Sequence, residues 1–129
     1  MKLKTMKTSR KKLGNLGEDY ACSYLERLGH TILDRNWRCG HLELDIVSLD
    51  GEGIHFVEVK SRTAPFTAHP EENVTRTKQG KITAAALGWL NTREHPGDAE
   101  VFFDVIAVVF DGDNVEIDYF KQAYIPIYT

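Results

Sequence analysis

The sequence has little cysteine, little proline and no long hydrophobic run. Its 129 residues include two cysteines and four prolines. Two thiols cannot build a disulfide framework or a four-ligand zinc site by themselves, so we expect Cys22 and Cys39 to be reduced thiols of a cytoplasmic protein without a secretory signal. The longest apolar run, Val105–Phe110, has six residues, whereas a membrane-spanning helix needs about 20. We therefore expect no membrane association.

What the sequence does contain is an ordinary globular composition with an uneven charge distribution. Residues 1–12 carry six lysines and arginines and no acid, whereas all 19 acidic residues and the other ten basic residues follow them. This division predicts a basic, flexible leader over 1–12 and a single domain over 13–129. The leader is interpreted either as an arm for phosphate groups or as a passive solubilising segment.

Hydrophobic periodicity predicts seven secondary-structure elements. Apolar residues at helical spacing predict two helices, and alternating or continuous apolar runs predict five strands, of which the first three form an antiparallel meander. The order α-β-β-β-α-β-β predicts an α/β fold with a mixed central sheet flanked by helices. The predicted ranges are a helix at 12–29, strands at 31–38, 41–49 and 54–61, a loop at 63–70, a helix at 70–93, and strands at 101–110 and 115–120.

Three residues on two adjacent predicted strands form the candidate site. Glu58 and Lys60 are two apart on one strand and so face the same side of the sheet, about 7 Å apart. Asp45 lies on the preceding strand, which pairing brings close. Neighbouring carboxylates repel each other, and a divalent cation such as Mg²⁺, or Mn²⁺ in its place, removes that penalty. The alternative interpretation is a solvated strand face with Asp45 capping a turn.

Other polar residues are interpreted more conservatively. The apolar stripe of the first helix places Leu16 and Tyr20 in the core and Glu18 at its edge. Asp104 interrupts an apolar strand, so we expect it to be paired with an arginine. Since the five histidines lack metal-ligand spacing, none is assigned a catalytic role.

Two further patterns leave alternatives open. Glu43 is interpreted either as a partner of Arg38 or as an acid that supports Asp45. A run of basic residues follows the candidate site and is either a phosphate-facing flank or a solvated helix face. This run comprises Arg62, Arg76, Lys78, Lys81 and Arg93.

The motif Asp45…Glu58-Val59-Lys60 resembles the signature of the PD-(D/E)XK nucleases. More widely, residues 13–110 resemble the YraN family of small bacterial proteins, which are similar to Holliday-junction resolvases of archaeal type. One position departs from the family pattern Gly-Glu-Ile/Leu-Asp, because Leu42 replaces its glycine. The other matching segments are Gly14-Asn15-Leu16-Gly17-Glu18, Arg35-Asn36-Trp37-Arg38, Glu43-Leu44-Asp45-Ile46-Val47, Phe56-Val57-Glu58-Val59-Lys60-Ser61-Arg62, Lys78-Gln79 with Lys81, and Phe103-Asp104-Val105-Ile106.

The resemblance implies a restriction-endonuclease-like core and assigns roles to residues. Asp45 and Glu58 match the metal-binding acids of the superfamily. The main-chain carbonyl of Val59 matches a third metal ligand, and Lys60 matches the catalytic lysine. Glu18 matches an acid near the metal. The resemblance and the run of basic residues together imply that Arg62, Lys78, Gln79 and Lys81 bind nucleic acid.

The function implied is metal-dependent phosphodiester hydrolysis on DNA, branched or damaged DNA included. The alternative is a non-catalytic module that keeps the nuclease fold and binds nucleic acid or a protein partner. Resolution of a four-way junction would favour a homodimer, because the junction is cut symmetrically by a twofold dimer.

Overall fold

A computed structural model describes residues 10–65 and 74–125 of the chain. In these residues, two helices and five strands follow one another in the predicted order. Each strand lies within two residues of its predicted range. The elements are α1 (Arg10–Arg27), β1 (Thr31–Cys39), β2 (Leu42–Leu49), β3 (Gly53–Thr63), α2 (Arg76–Thr92), β4 (Glu100–Asp111) and β5 (Asn114–Phe120).

The five strands form one mixed sheet in the spatial order β1-β2-β3-β4-β5. Strands β1, β2 and β3 pair antiparallel, as predicted for the meander, and β4 pairs antiparallel with β5. Strand β3 pairs parallel with β4 over its whole length. A parallel pair needs a long crossover connection, and α2 lies within it. The α/β class and the mixed sheet are confirmed, and the architecture is compatible with a nuclease-like core.

The two helices pack on opposite faces of the sheet. Side chains alternate along β3, so that Phe56 joins the core beneath α2 while Val57 joins the core beneath α1. Strand β4 is buried on both faces, as its continuous apolar sequence predicts. Helix α2 is anchored to β1 by Trp89, whose indole N–H donates to Asp34 Oδ2 at 2.7 Å.

The buried face of α1 differs from the prediction. Leu16 and Tyr20, expected in the core, are 44% and 38% exposed, whereas Glu18 is only 9% exposed. The helix turns Ala21 and Leu25 fully toward the sheet. Gly17 lies against Ser61 of β3, a position too close for a side chain. This contact fixes the rotation of the helix, and the rotation directs Glu18 inward.

Some predicted boundaries lie elsewhere. Helix α1 begins at Arg10, two residues before its predicted start, so only residues 1–9 of the predicted leader lie outside the described residues. Helix α2 begins at Arg76, capped by Thr75, rather than at about residue 70. Residues 66–73, which include most of the predicted loop, also lie outside the described residues.

The prediction of an arginine partner for Asp104 is wrong. This fully buried carboxylate is bonded to His55, whose Nδ1 lies 2.6 Å from its Oδ2. It also accepts the hydroxyl of Tyr119 and, at 2.8 Å, the backbone N–H of Gln122. The parallel register of β3 and β4 pairs His55 with Phe102 and Val57 with Asp104, so His55 and Asp104 are diagonal neighbours on one face of the sheet.

Two expectations about the chain as a whole can be compared with the structure. Cys22, which is buried, and Cys39, which is exposed, are both free thiols. Within residues 10–65 and 74–125, no helix is long and apolar enough to cross a membrane.

The close approach of Gly17 to Ser61 predicts opposite effects for two alanine substitutions on α1. A Cβ at Gly17 would overlap Ser61 Oγ and lie 3.1 Å from Ser61 Cβ, whereas a Cβ at Gly14 meets nothing within 4 Å. We expect Gly17→Ala to destabilise the protein by about 1–3 kcal/mol through overpacking. Gly14→Ala should stabilise it by up to about 1 kcal/mol through helix propensity. Urea denaturation measures both; equal effects would contradict the packing described here.

Candidate active site

The candidate site lies where β2 separates from β3. Their pairing ends at Ile46 and Val57, whereas β3 continues beside β4 as far as Thr63. A buried backbone N–H that loses its partner strand needs another acceptor. Asp45 supplies it, because its Oδ2 accepts the Val59 N–H at 2.9 Å. The gap between the strands therefore holds the Asp45 carboxylate against the free edge of β3.

Three carboxylates meet at this gap and line a cavity of about 700 Å³. They are Glu18 from α1, Asp45 from β2 and Glu58 from β3. Burial raises the pKa of Glu18. Burial and the adjacent charge of Glu58 raise the pKa of Asp45 well above its usual range. The group of carboxylates therefore opposes its own ionisation and favours a compensating cation.

Two lysines approach the same carboxylate oxygen. Lys78 Nζ lies 2.6 Å from Glu58 Oε1, and Lys60 Nζ lies 3.6 Å from it. Burial and the neighbouring Lys78 lower the pKa of Lys60 to about 8. Burial also opposes the charge of Lys78, but the contact with Glu58 outweighs it and raises the pKa of Lys78. Lys60 can therefore exchange a proton near neutral pH, while Lys78 stays an ammonium.

Helix α2 places Lys78 at the site through its N-terminal cap. Thr75 Oγ1 accepts the Lys78 N–H at 3.2 Å, which fixes Lys78 in the first turn. The helix dipole disfavours a cation at this position. Since an unfavourable placement persists only when something compensates for it, the ion pair with Glu58 accounts for the position of Lys78.

Glu18 is only partly satisfied by its surroundings. Among the described residues, Arg35 is the cation within 4 Å of Glu18, at 3.8 Å from its Oε1, but Arg35 bonds to Asp19 at 2.8 Å. Glu18 Oε1 is buried and has no hydrogen-bond partner among the described residues. A buried acceptor without a partner costs free energy, so this oxygen is available to a ligand in the cavity.

Of the four remaining predicted site residues, two line a cavity and two do not. Arg62 lines the 700 Å³ cavity. Lys81 lines a second cavity of about 280 Å³. Asp45, Glu58 and Lys78 line both cavities. Gln79 lines neither, because its Nε2 donates to the Val74 carbonyl at 3.0 Å. Lys60 also lies outside both linings, and only its Nζ reaches Glu58.

Two positions of the family pattern near Asp45 also have defined places. Leu42, which replaces the family's glycine, lines the second cavity beside Glu43. Glu43 is exposed and lies 3.5 Å from Arg38, so its interpretation as a partner of that arginine is confirmed. Leu42 therefore places a side chain at the rim of the site, where Asp45 makes its hydrogen bond with the Val59 N–H.

A second polar cluster, which the sequence did not indicate, lies at the opposite end of β3. His30 and His55 both direct Nε2 toward Asp50, at 3.4 and 2.8 Å from its carboxylate oxygens. His30 Nδ1 lies 2.9 Å from Ser48 Oγ. The three residues come from different segments, so no linear spacing connects them, and the only available signal was a histidine within an apolar strand.

Comparison with known proteins shows the family of this chain. The model of the uncharacterised protein family UPF0102 matches residues 17–108. A UPF0102 protein of Geobacter metallireducens is 44% identical over 119 residues, which cover 92% of this chain and 97% of that protein. UPF0102 proteins of Chloroflexus aurantiacus and Bacteroides thetaiotaomicron are each 40% identical over 114 residues, or 88% of this chain and 92% and 93% of those proteins.

The chain therefore belongs to the UPF0102 family. This confirms the resemblance to the YraN family, which is the same family. The matched region contains every residue that lines the 700 Å³ cavity except Leu13 and Gly14.

The raised pKa of Asp45 predicts that Asp45→Asn stabilises the metal-free protein near neutral pH. A carboxyl group whose pKa is raised on folding favours the fold below its unfolded pKa, and this contribution is lost as the pH rises through the folded pKa. The variant removes the penalty but keeps an acceptor for the Val59 N–H. We expect a gain of about 0.5–2 kcal/mol near pH 7, the usual scale for a single stabilising substitution.

Thermal denaturation at several pH values checks this expectation. The gain should disappear near pH 4, around the pKa of an unfolded aspartate. Glu43→Gln on the same strand is the matched control and should change stability little at either pH, because Glu43 is exposed. A loss of stability in Asp45→Asn near neutral pH would contradict the electrostatic description.

Proposed function

We propose that this protein is a metal-dependent nuclease that hydrolyses phosphodiester bonds in DNA, with branched or damaged DNA as its substrate class. The observation that supports it most strongly is the convergence of Glu18, Asp45 and Glu58 on one cavity. Structural carboxylates are usually dispersed or paired one to one with cations. A buried group of three, one of them with an unsatisfied oxygen, is typical of a site that binds a cation.

The donor atoms at the gap fit Mg²⁺ or Mn²⁺. The carboxylate oxygens of Asp45 and Glu58 are hard ligands of the kind that these ions prefer. The N–H and C=O of one residue in a strand point to the same side, so the Val59 carbonyl faces the gap with its N–H. A set of two carboxylates and a main-chain carbonyl leaves positions for water and for a phosphate oxygen.

The residues of the chain would divide the work of hydrolysis. Held by Asp45, Glu58 and the Val59 carbonyl, Mg²⁺ would supply charge neutralisation and would make a water more acidic. Lys60, with a pKa of about 8, can take a proton from the attacking water or donate a hydrogen bond to the phosphate as negative charge develops. Lys78 and Arg62 would bind phosphate oxygens and position the strand.

A second candidate function is a non-catalytic module that binds nucleic acid or a protein partner. It is favoured by the ion pair between Lys78 and Glu58, at 2.6 Å. This contact already neutralises one ligand, so the site can persist without a metal. A protein that only binds needs the basic flank of Arg62 and Lys81 but not the chemistry of Lys60.

Metal binding separates the first function from a purely structural group of charges. Calorimetric titration with Mg²⁺ or Mn²⁺ should detect binding at millimolar metal and a rise in melting temperature, because a ligand that binds only the folded state stabilises it. Glu58→Gln should reduce both effects, while Glu116→Gln, which changes an exposed acid of β5 outside both cavities, should leave them unchanged. No binding to the wild type would count against catalysis.

The strongest test of catalysis uses Lys60→Met, which keeps the buried aliphatic stem and removes the charge. Single-turnover cleavage of labelled four-way junctions, flaps and nicked duplexes in Mg²⁺ should fall by roughly 100-fold, the scale of losing one preorganised donor. DNA affinity, measured in Ca²⁺ to prevent cleavage, should change little.

Lys81→Met provides the contrasting variant. It should weaken binding to all DNA sequences alike and reduce the dependence of log affinity on log salt by about one, while leaving the cleavage rate of bound DNA near that of the wild type. If Lys60→Met cleaves DNA at the rate of the wild type, the role assigned to Lys60 is refuted. A wild type that binds every substrate and cuts none would favour the non-catalytic module.

A further inference from the structure

We propose that His30, Asp50 and His55 form a second, structural metal site for a divalent transition metal of the zinc type. This site is separate from the proposed nuclease site. Asp50 lies in the turn between β2 and β3, His55 near the start of β3, and His30 just after α1. His55 and Glu58 are three residues apart on β3, about 10 Å along the strand, and their side chains lie on opposite faces of the sheet.

The donor atoms already lie close to the spacing that a metal requires. His30 Nε2 and His55 Nε2 lie 3.4 and 2.8 Å from the two oxygens of Asp50. One ligand atom from each of the three residues lies within 4.8 Å of the others. Tetrahedral zinc with bonds of about 2.0–2.1 Å places its ligands roughly 3.3 Å apart. Small side-chain movements therefore bring these atoms to coordination distances.

Each imidazole is oriented by a bond to its other nitrogen. His55 Nδ1 lies 2.6 Å from Asp104 Oδ2, and His30 Nδ1 lies 2.9 Å from Ser48 Oγ. A carboxylate or another acceptor behind the second ring nitrogen is the usual support of a metal-bound histidine, because it fixes the tautomer that leaves Nε2 free. Asp104 is itself held by Tyr119, so this support is rigid.

The charges of the cluster favour a divalent ion. Both nitrogens of His55 face carboxylates, Nε2 that of Asp50 and Nδ1 that of Asp104, and the side chains of His55 and Asp104 are fully buried. The cluster thus brings two carboxylates to the imidazoles. A divalent cation bound to neutral imidazoles would balance the charges of the two carboxylates. Burial of an uncompensated charge is costly, so neutrality stabilises the metal-bound form.

A metal at this position would join three segments of the fold. Asp50 is 18% exposed, whereas the side chains of His30 and His55 are 4% and 0% exposed. The fourth coordination position therefore faces solvent beside Asp50, and the protein ligands lie inside. The ion would link His30, which follows α1, to Asp50 in the turn before β3. Strand β3 also carries Glu58.

The test is a titration of untagged, metal-stripped full-length protein with ZnCl₂. We expect one Zn²⁺ per chain, with micromolar or tighter affinity, and a higher melting temperature. Co²⁺ should give the intense visible bands of a four-coordinate site with imidazole ligands. The Asp45→Asn variant should bind Zn²⁺ as the wild type does, because the proposed nuclease site is not involved.

His30→Asn should weaken Zn²⁺ binding at least tenfold. Loss of a group that only orients a metal ligand already weakens metal binding by about tenfold or more, and His30 would be a ligand itself. His41→Asn, which changes an exposed histidine outside the cluster, is the matched control and should leave the affinity unchanged. If His30→Asn does not fold, Asp50→Asn replaces it, because asparagine retains the turn's acceptor. The Co²⁺ spectrum of the wild type requires no variant.

Three results would overturn the proposal. The first is a wild type that binds no Zn²⁺ at micromolar concentration. The second is loss of Zn²⁺ binding in Asp45→Asn together with unchanged Zn²⁺ binding in His30→Asn. That result would place the ion at the three carboxylates instead. The third is a weak Co²⁺ spectrum typical of six oxygen ligands. Each of these results concerns Zn²⁺ or Co²⁺ binding, not DNA cleavage. The zinc-site proposal and the nuclease proposal can therefore be refuted independently of each other.

Discussion

The parallel pairing of β3 with β4 is the constraint on which the rest of the structure depends. It extends from Gly53 beside Glu100 to Thr63 beside Phe110. Because β4 supports β3 along its whole length, β2 can leave β3 halfway without unfolding its end. The gap that results exposes one edge of β3 and makes room for the carboxylates. A sheet with complete pairing on both sides of β3 would have no such cavity.

The hydrogen bond from the Val59 N–H to Asp45 shows how the fold tolerates this gap. A side-chain carboxylate takes over the acceptor role that β2 gives up. The same bond holds Asp45 near Glu58, where burial and repulsion raise its pKa. The carboxylate that satisfies the backbone is thus also one whose ionisation is opposed by burial and by the neighbouring charge, so stability and the proposed function are opposed at one residue. Such a conflict is common at functional sites.

Strand β3 carries polar groups of different character on its two faces. Toward its C-terminal end, on the α2 side, Glu58 and Lys60 meet Lys78. Near its N-terminal end, on the α1 side, His55 meets Asp50 and Asp104. The first group has carboxylate and ammonium chemistry suited to Mg²⁺ and phosphate, and the second has imidazole chemistry suited to zinc-type ions. The alternation of side chains along a strand keeps the two groups apart.

The sequence by itself determined the elements, their order and the placement of Asp45 and Glu58 on adjacent strands, because periods of two and 3.6 residues and short turns are local properties. Tertiary structure alone decided the rotation of α1, which buries Glu18 instead of Leu16 and Tyr20, since that rotation depends on the fit of Gly17 against β3. It also decided that Asp104 meets His55, and that His55, His30 and Asp50 meet one another. These contacts join residues up to 49 positions apart, and only the register of the completed sheet brings them together.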